Sequence, residues 1–180
     1  MGRSPMKRVL RALALAGALV CVPIAADAAD FVTAGNSHAV YVAKQMKWMT
    51  VAKDGALTSD LPAQLARAPF GAFVLVITGT NDAQSKFLMN LAVFHARTAL
   101  DVAAWRGQKL VWAGPSAVQR AGWWQRAELI DGQFEALMEE RGIPYLSIFT
   151  DPAMKPVDEV HLSASSSWVL GITAAHLLHD

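Results

Sequence analysis

Apolar and polar positions along the chain alternate between two rhythms, one with the period of a strand and one with the period of a helix. Phe31-Val32-Thr33-Ala34 is a short apolar run stopped at Gly35, and from His38 to about Trp48 the spacing turns helical, with Ala39, Val40, Ala43 and Met46 on one side. Met49 to Ala52 predicts a second short strand before a turn at Asp54-Gly55, and Leu57, Leu61 and Leu65 predict a helix ending near Pro69. Phe73 to Thr78 is apolar on both faces, the pattern of a central parallel strand covered by helices, and Gly79 ends it. A helical stretch follows from about Ala83 to Trp105, and Leu110-Val111-Trp112-Ala113 is a strand closed by Gly114-Pro115. Trp123 to Glu140 predicts a helix stopped at Gly142, Tyr145 to Phe149 a strand, and Ser163 to Leu178 a last helix with Ser163 as its N-cap. Strands separated by helix-length segments predict a three-layer, doubly wound α/β domain. Its parallel sheet has about five strands, with helices on both faces.

Ahead of this pattern lies an apolar run from Ala12 to Ala26, preceded by Arg3, Lys7, Arg8 and Arg11. The run is shorter than the roughly 20 residues that cross a bilayer, Pro23 interrupts it, and Ala26-Asp27-Ala28 fits a signal-peptidase site. Residues 1–28 are therefore expected to be a cleaved signal peptide, and residues 29–180 a single exported domain, periplasmic or secreted, with no stable membrane span. Val20 before Cys21 does not fit a lipidation site. The remaining chain keeps twelve basic against fourteen acidic side chains, a formal net charge of −2, and it has no cysteine. That balance gives no reason to expect a nucleic-acid partner, and the missing cysteine excludes both a disulfide framework and a thiol nucleophile.

Ligands of an open parallel sheet bind outside the carboxyl ends of its strands, and the residues there are rich in chemistry. The first strand delivers Gly35-Asn36-Ser37-His38, the central strand Gly79-Thr80-Asn81-Asp82, and the last strand a loop containing Asp158-Glu159-Val160-His161. In this order the three blocks resemble the SGNH or GDSL-like hydrolase superfamily. Its members carry a Gly-Asp-Ser turn after the first strand, a Gly-x-Asn-Asp segment and a late Asp-x-x-His. The resemblance spans nearly the whole exported domain and suits a flavodoxin-like arrangement of its layers.

The resemblance implies a serine-dependent ester hydrolase, with Ser37 as nucleophile, His161 as base and Asp158 holding the imidazole in its working orientation. It implies oxyanion donors at the backbone N–H of Ser37, the side-chain amide of Asn81 and, as the best candidate for a glycine donor, the N–H of Gly55. Asn36 stands where the family usually has Asp; it keeps an acceptor oxygen for capping nearby amides and lacks the charge. Such an enzyme needs neither metal nor organic cofactor, and its substrate is a small-molecule, glycan or lipid ester. An acyltransferase using the same triad and a noncatalytic binding domain of the same fold are the alternatives.

Other polar residues have plainer expectations. Asp82 is read as structural, His95 as a helix-surface or packing residue, and His38 as a partly exposed histidine in a first helical turn with no assigned role. His176 and His179 suit the negative end of a helix better than a metal. Trp123 and Trp124 cannot both point inward from one helix, so one is expected to be exposed. Substrate selectivity is expected to lie in the loops 114–126 and 150–157.

Overall fold

The computed structural model describes residues 31–120, 122–151, 154, 157, 158 and 160–179. The predicted signal peptide and Cys21 lie outside them. Five parallel strands, β1 (Phe31–Gly35), β2 (Met49–Thr50), β3 (Phe73–Ile77), β4 (Lys109–Ala113) and β5 (Tyr145–Leu146), form one sheet in the order β2-β1-β3-β4-β5. The doubly wound, flavodoxin-like α/β arrangement is thus present, with its switch point between β1 and β3.

Side-chain alternation along the strands divides the core in two. Val32, Ala34, Val74, Val76, Leu110 and Trp112 face one way, onto α2 (Leu61–Arg67), α3 (Lys86–Trp105) and α4 (Trp124–Arg141). Phe31, Leu75, Ile77, Val111 and Ala113 face the other way, onto α1 (Ser37–Met46) and α5 (Ala164–His179). Both faces of the central strands are buried because helices cover both, which is why β3 is apolar at every position.

Several element boundaries differ from the sequence expectation for identifiable reasons. The strand predicted over Tyr145 to Phe149 ends at Leu146, where Ser147 Oγ turns toward Asp131 (2.7 Å) and Thr150 (2.9 Å). The helix predicted from Ala83 starts at Lys86; a 3-10 turn over Asp82–Gln84 precedes it, and Ser85 caps it through the Leu88 N–H. Leu57 to Pro69 divides into a 3-10 turn at Thr58–Asp60 and the shorter α2, with a proline in its first turn. Ser163 caps α5 as expected, its hydroxyl accepting from Ser166 N–H at 3.0 Å. Trp124 is the exposed member of the tryptophan pair.

The strand ends are aligned. Gly35 pairs with Ile77, Ile77 with Ala113, and Ala113 with Leu146, so the segments that follow leave the sheet along one edge. These are the segments that carry the polar blocks.

Candidate active site

The chain leaves β1 through a tightly held turn. Gly35 adopts φ +122°, and the buried Gln64 of α2 grips both of its backbone groups, accepting from Gly35 N–H at 2.6 Å and donating to its carbonyl at 3.1 Å. Asn36 N–H then donates to Ile77 O at 3.0 Å, tying the turn to the end of β3. Asn36 is the N-cap of α1, its Oδ1 accepting from His38 N–H at 3.0 Å, so the capping role expected of its acceptor oxygen is present. Its amide nitrogen is buried without a partner among the described residues. Ser37, one place further on, is therefore the first residue of the helix and not its cap. Neither its N–H nor its hydroxyl is spent on a hydrogen bond within the described residues. A free amide at a helix N-terminus is suited to developing negative charge.

The second block is built onto a neighbouring turn. Asp82 is buried, and both of its carboxylate oxygens accept from Thr58 N–H, at 3.2 and 3.1 Å, while Thr58 Oγ1 donates to one of them at 2.9 Å. Burial pushes the Asp82 carboxyl above its usual range, against the pull of these hydrogen bonds. These bonds tie the Thr58 turn to the segment that follows β3. Asn81 is half-buried, and its amide nitrogen donates to Ala56 O at 2.9 Å, which leaves one of its two N–H groups uncommitted. Consecutive residues thus clamp consecutive parts of one turn, and Asn81 lies beside the Gly55 block. Gly55 itself is exposed at φ +73°, and its N–H donates to no group among the described residues.

His161 and Asp158 form a compact pair. Asp158 Oδ1 accepts from the N–H groups of Val160 (2.7 Å) and His161 (2.6 Å), and Oδ2 lies 2.9 Å from His161 Nδ1. Those two backbone bonds and the imidazole contact, with the His161 N–H foremost, hold the Asp158 carboxyl well below the usual carboxylate range. An ionised Asp158 places the ring proton on Nδ1 and leaves Nε2 with a lone pair. The loop is pinned from both sides, by Ser116 Oγ donating to Val160 O at 3.0 Å and by the buried side chains of Val160 and Leu162. Ser116 N–H in turn donates to Thr80 Oγ1 at 3.1 Å, so the ends of β3 and β4 and the histidine loop are linked.

The His161 ring rests against the first turns of α1, with its centroid 5.8 Å from that of His38 and 5.7 Å from that of Tyr41. His38 is not the partly exposed residue expected from the sequence; it is 1% exposed, and neither ring nitrogen has a partner among the described residues. The reason is tertiary, because α1 packs against α5 and the His161 ring, from a loop far along the chain, stands beside His38. Burial, helped by the nearby His161 and opposed by Asp158, lowers its pKa from 6.5 to about 4. The folded state thus holds His38 neutral while the unfolded chain takes up a proton below pH 6.5. Stability is therefore lost as pH falls from 6.5 toward 4, with a slope of at most about 1.4 kcal/mol per pH unit from this group. His38→Leu is expected to flatten that decline in urea denaturation curves taken between pH 7 and pH 4.5. An equally steep decline in the variant would assign it to other groups.

Sequence reasoning missed Gln64, Thr58 and Tyr41. A signal existed for Gln64, a polar residue on the apolar face that Leu61 and Leu65 define. Tyr41 stands one helical turn after Ser37 on the same face of α1. His179 is spent on ring contacts with Phe31 and Phe73, and among the described residues no group of three or more His, Cys, Asp or Glu side chains is placed to hold a metal. No helix among them is long and apolar enough to cross a membrane.

No protein-family model matches the sequence, and a search of curated proteins gave no match. Solved structures do match. A member of the lipolytic G-D-S-L family from Veillonella parvula superposes with a TM-score of 0.69 at 12% identity, over 83% of this chain and 98% of that one. An aryl esterase from M. smegmatis gives 0.62 at 15% identity, over 83% and 97%, and a carbohydrate acetylesterase from Sinorhizobium meliloti gives 0.60 at 16%, over 82% and 97%. The fold is that of the SGNH/GDSL hydrolases.

Proposed function

We propose that this chain is an SGNH/GDSL-type ester hydrolase, exported after removal of residues 1–28, in which Ser37, His161 and Asp158 act as the catalytic triad. The observation that carries the proposal is the Asp158–His161 pair seated on the first turns of the helix that begins with an unspent Ser37. Ser37 Oγ attacks the ester carbonyl while His161 Nε2 takes its proton, and the N–H of Ser37 with the free amide N–H of Asn81 receives the charge on the carbonyl oxygen. Gly55 N–H, uncommitted and on the turn that Asn81 grips, is the third donor. As the tetrahedral intermediate collapses, His161 gives the proton to the departing alcohol. Water, activated by the same nitrogen, then cleaves the acyl-enzyme and releases the carboxylic acid. Acyl and acetyl esters of carbohydrates, lipids or small alcohols fit this chemistry, and no step calls for a metal or organic cofactor.

A fluorophosphonate probe tests the proposal. Mass spectrometry is expected to find one adduct per chain, on Ser37, in protein whose circular dichroism shows it folded. A folded sample that takes up no probe would favour a noncatalytic binding domain. Transfer of the acyl group to an added sugar in preference to water would assign the same residues to an acyltransferase.

A further inference from the structure

Ser37, Tyr41, Lys44 and Gln45 are spaced at i, i+4, i+7 and i+8 and therefore share one face of α1. Beside the last three runs a groove of about 320 Å³, which Asp158, His161 and Leu162 also line. Ala164 and Ser167, from the start of α5, line it as well.

Three features of this groove favour negative charge. Lys44 has no ion-pair partner among the described residues. The amides of Ala164 and Ser165, at the N-terminus of the 16-residue α5, donate to no group among them, since Ser163 satisfies only the N–H groups of Ser166 and Ser167. Ser167, 1% exposed and bordering the groove, holds a buried hydroxyl with no partner among the described residues, a donor whose desolvation no hydrogen bond among them offsets. Among the described lining residues the one carboxylate, Asp158, has both oxygens committed to hydrogen bonds within the histidine loop.

We infer that this groove is a subsite for an anionic group, a carboxylate or phosphate, on the alcohol side of the ester. The inference rests on the esterase proposal for its place in the reaction. The alcohol is assigned because His161, which on that proposal protonates the leaving group, itself lines the groove. Seven residues of helix separate Ser37 from Lys44, about 10 Å along the axis, so the charge lies several bonds from the scissile ester. Substrates are thus acyl esters of hydroxy acids or phosphorylated alcohols, and an uncharged alcohol forgoes the contact.

The test compares two acetate esters that differ in one charge, 4-acetoxybenzoate and its methyl ester. In the wild type the ratio of their kcat/KM values is expected to favour the anion. Lys44→Glu is expected to lower that ratio at least tenfold, mainly through KM, and Ser167→Ala to lower it severalfold. A ratio unchanged in Lys44→Glu overturns the subsite. Binding of 4-hydroxybenzoate to the full exported chain, followed by NMR shifts of Tyr41 and Lys44, separates this idea from the catalytic one. Binding without turnover of either ester counts against the esterase proposal alone; no perturbation of these residues overturns the anion site whatever the turnover.

Discussion

Ser37→Ala is expected to lower kcat/KM for a phenyl acetate by more than about a thousandfold and to leave the unfolding midpoint within a few degrees of wild type. The kinetic half follows from the proposed chemistry: if Ser37 is the nucleophile, no acyl-enzyme forms without its hydroxyl, and only a water-mediated reaction is left. The stability half follows from the structure, because Ser37 Oγ makes no hydrogen bond among the described residues and Asn36, not Ser37, caps the helix. Removing a capping serine would cost about 1 kcal/mol; removing this one is expected to cost little. Steady-state assays with a chromogenic ester, paired with thermal denaturation, read both halves. Retention of a tenth or more of wild-type turnover would remove Ser37 from the mechanism.

The largest structural effect is expected at Gly35. Its φ of +122° lies where side-chain-bearing residues are strained, and a Cβ there would stand 1.8 Å from Ile77 O, far inside contact distance. The obstacle is the backbone of β3, which cannot swing aside as a side chain can, and Gln64 grips the same residue from below. Relief would require separating β1 from β3 at the end of their pairing, beneath Ser37. Gly35→Ala is therefore expected to destabilise the domain by more than about 4 kcal/mol, enough to leave most of it unfolded or insoluble. Gly55→Ala supplies the contrast. Its φ is also positive, at +73°, but no atom lies within 4 Å of the added carbon, so a cost of about 1 kcal/mol is expected in urea titrations. Equal losses at the two glycines would show that backbone strain, and not the collision with Ile77, sets the effect.

Fold and strand-end chemistry were legible in the sequence because both depend on local periodicity. An apolar run such as Phe73–Ile77 can be stable only between two helical layers, and Gly35, Gly79 and Gly114 mark where the chain leaves the sheet at the ends of β1, β3 and β4. The order of the Gly-Asn-Ser, Asn-Asp and Asp-x-x-His blocks was likewise readable, since each lies within a few residues of its strand or loop. The Asp158–His161 contact belongs with these, as a hydrogen-bonded turn closed within four residues.

Long-range pairings were not legible. Gln64 reaches Gly35 across 29 positions, Asp82 reaches Thr58 across 24, and Ser116 reaches Val160 across 44. No periodicity encodes such partners, which are chosen by the way α2, the 3-10 turns and the loops pack on the sheet. His38 shows the same division. The sequence put it beside Ser37, but only tertiary packing, with the His161 ring beside it, took it out of water and left both its nitrogens without partners among the described residues. By itself, then, the chain determined its layers, its strand ends and the residue types gathered there, because hydrophobic period and turn chemistry act over a few residues. The groove beside His161, the two glycine environments and the charge state of His38 were decided by tertiary structure, because excluded volume and desolvation depend on neighbours that the sequence order does not name.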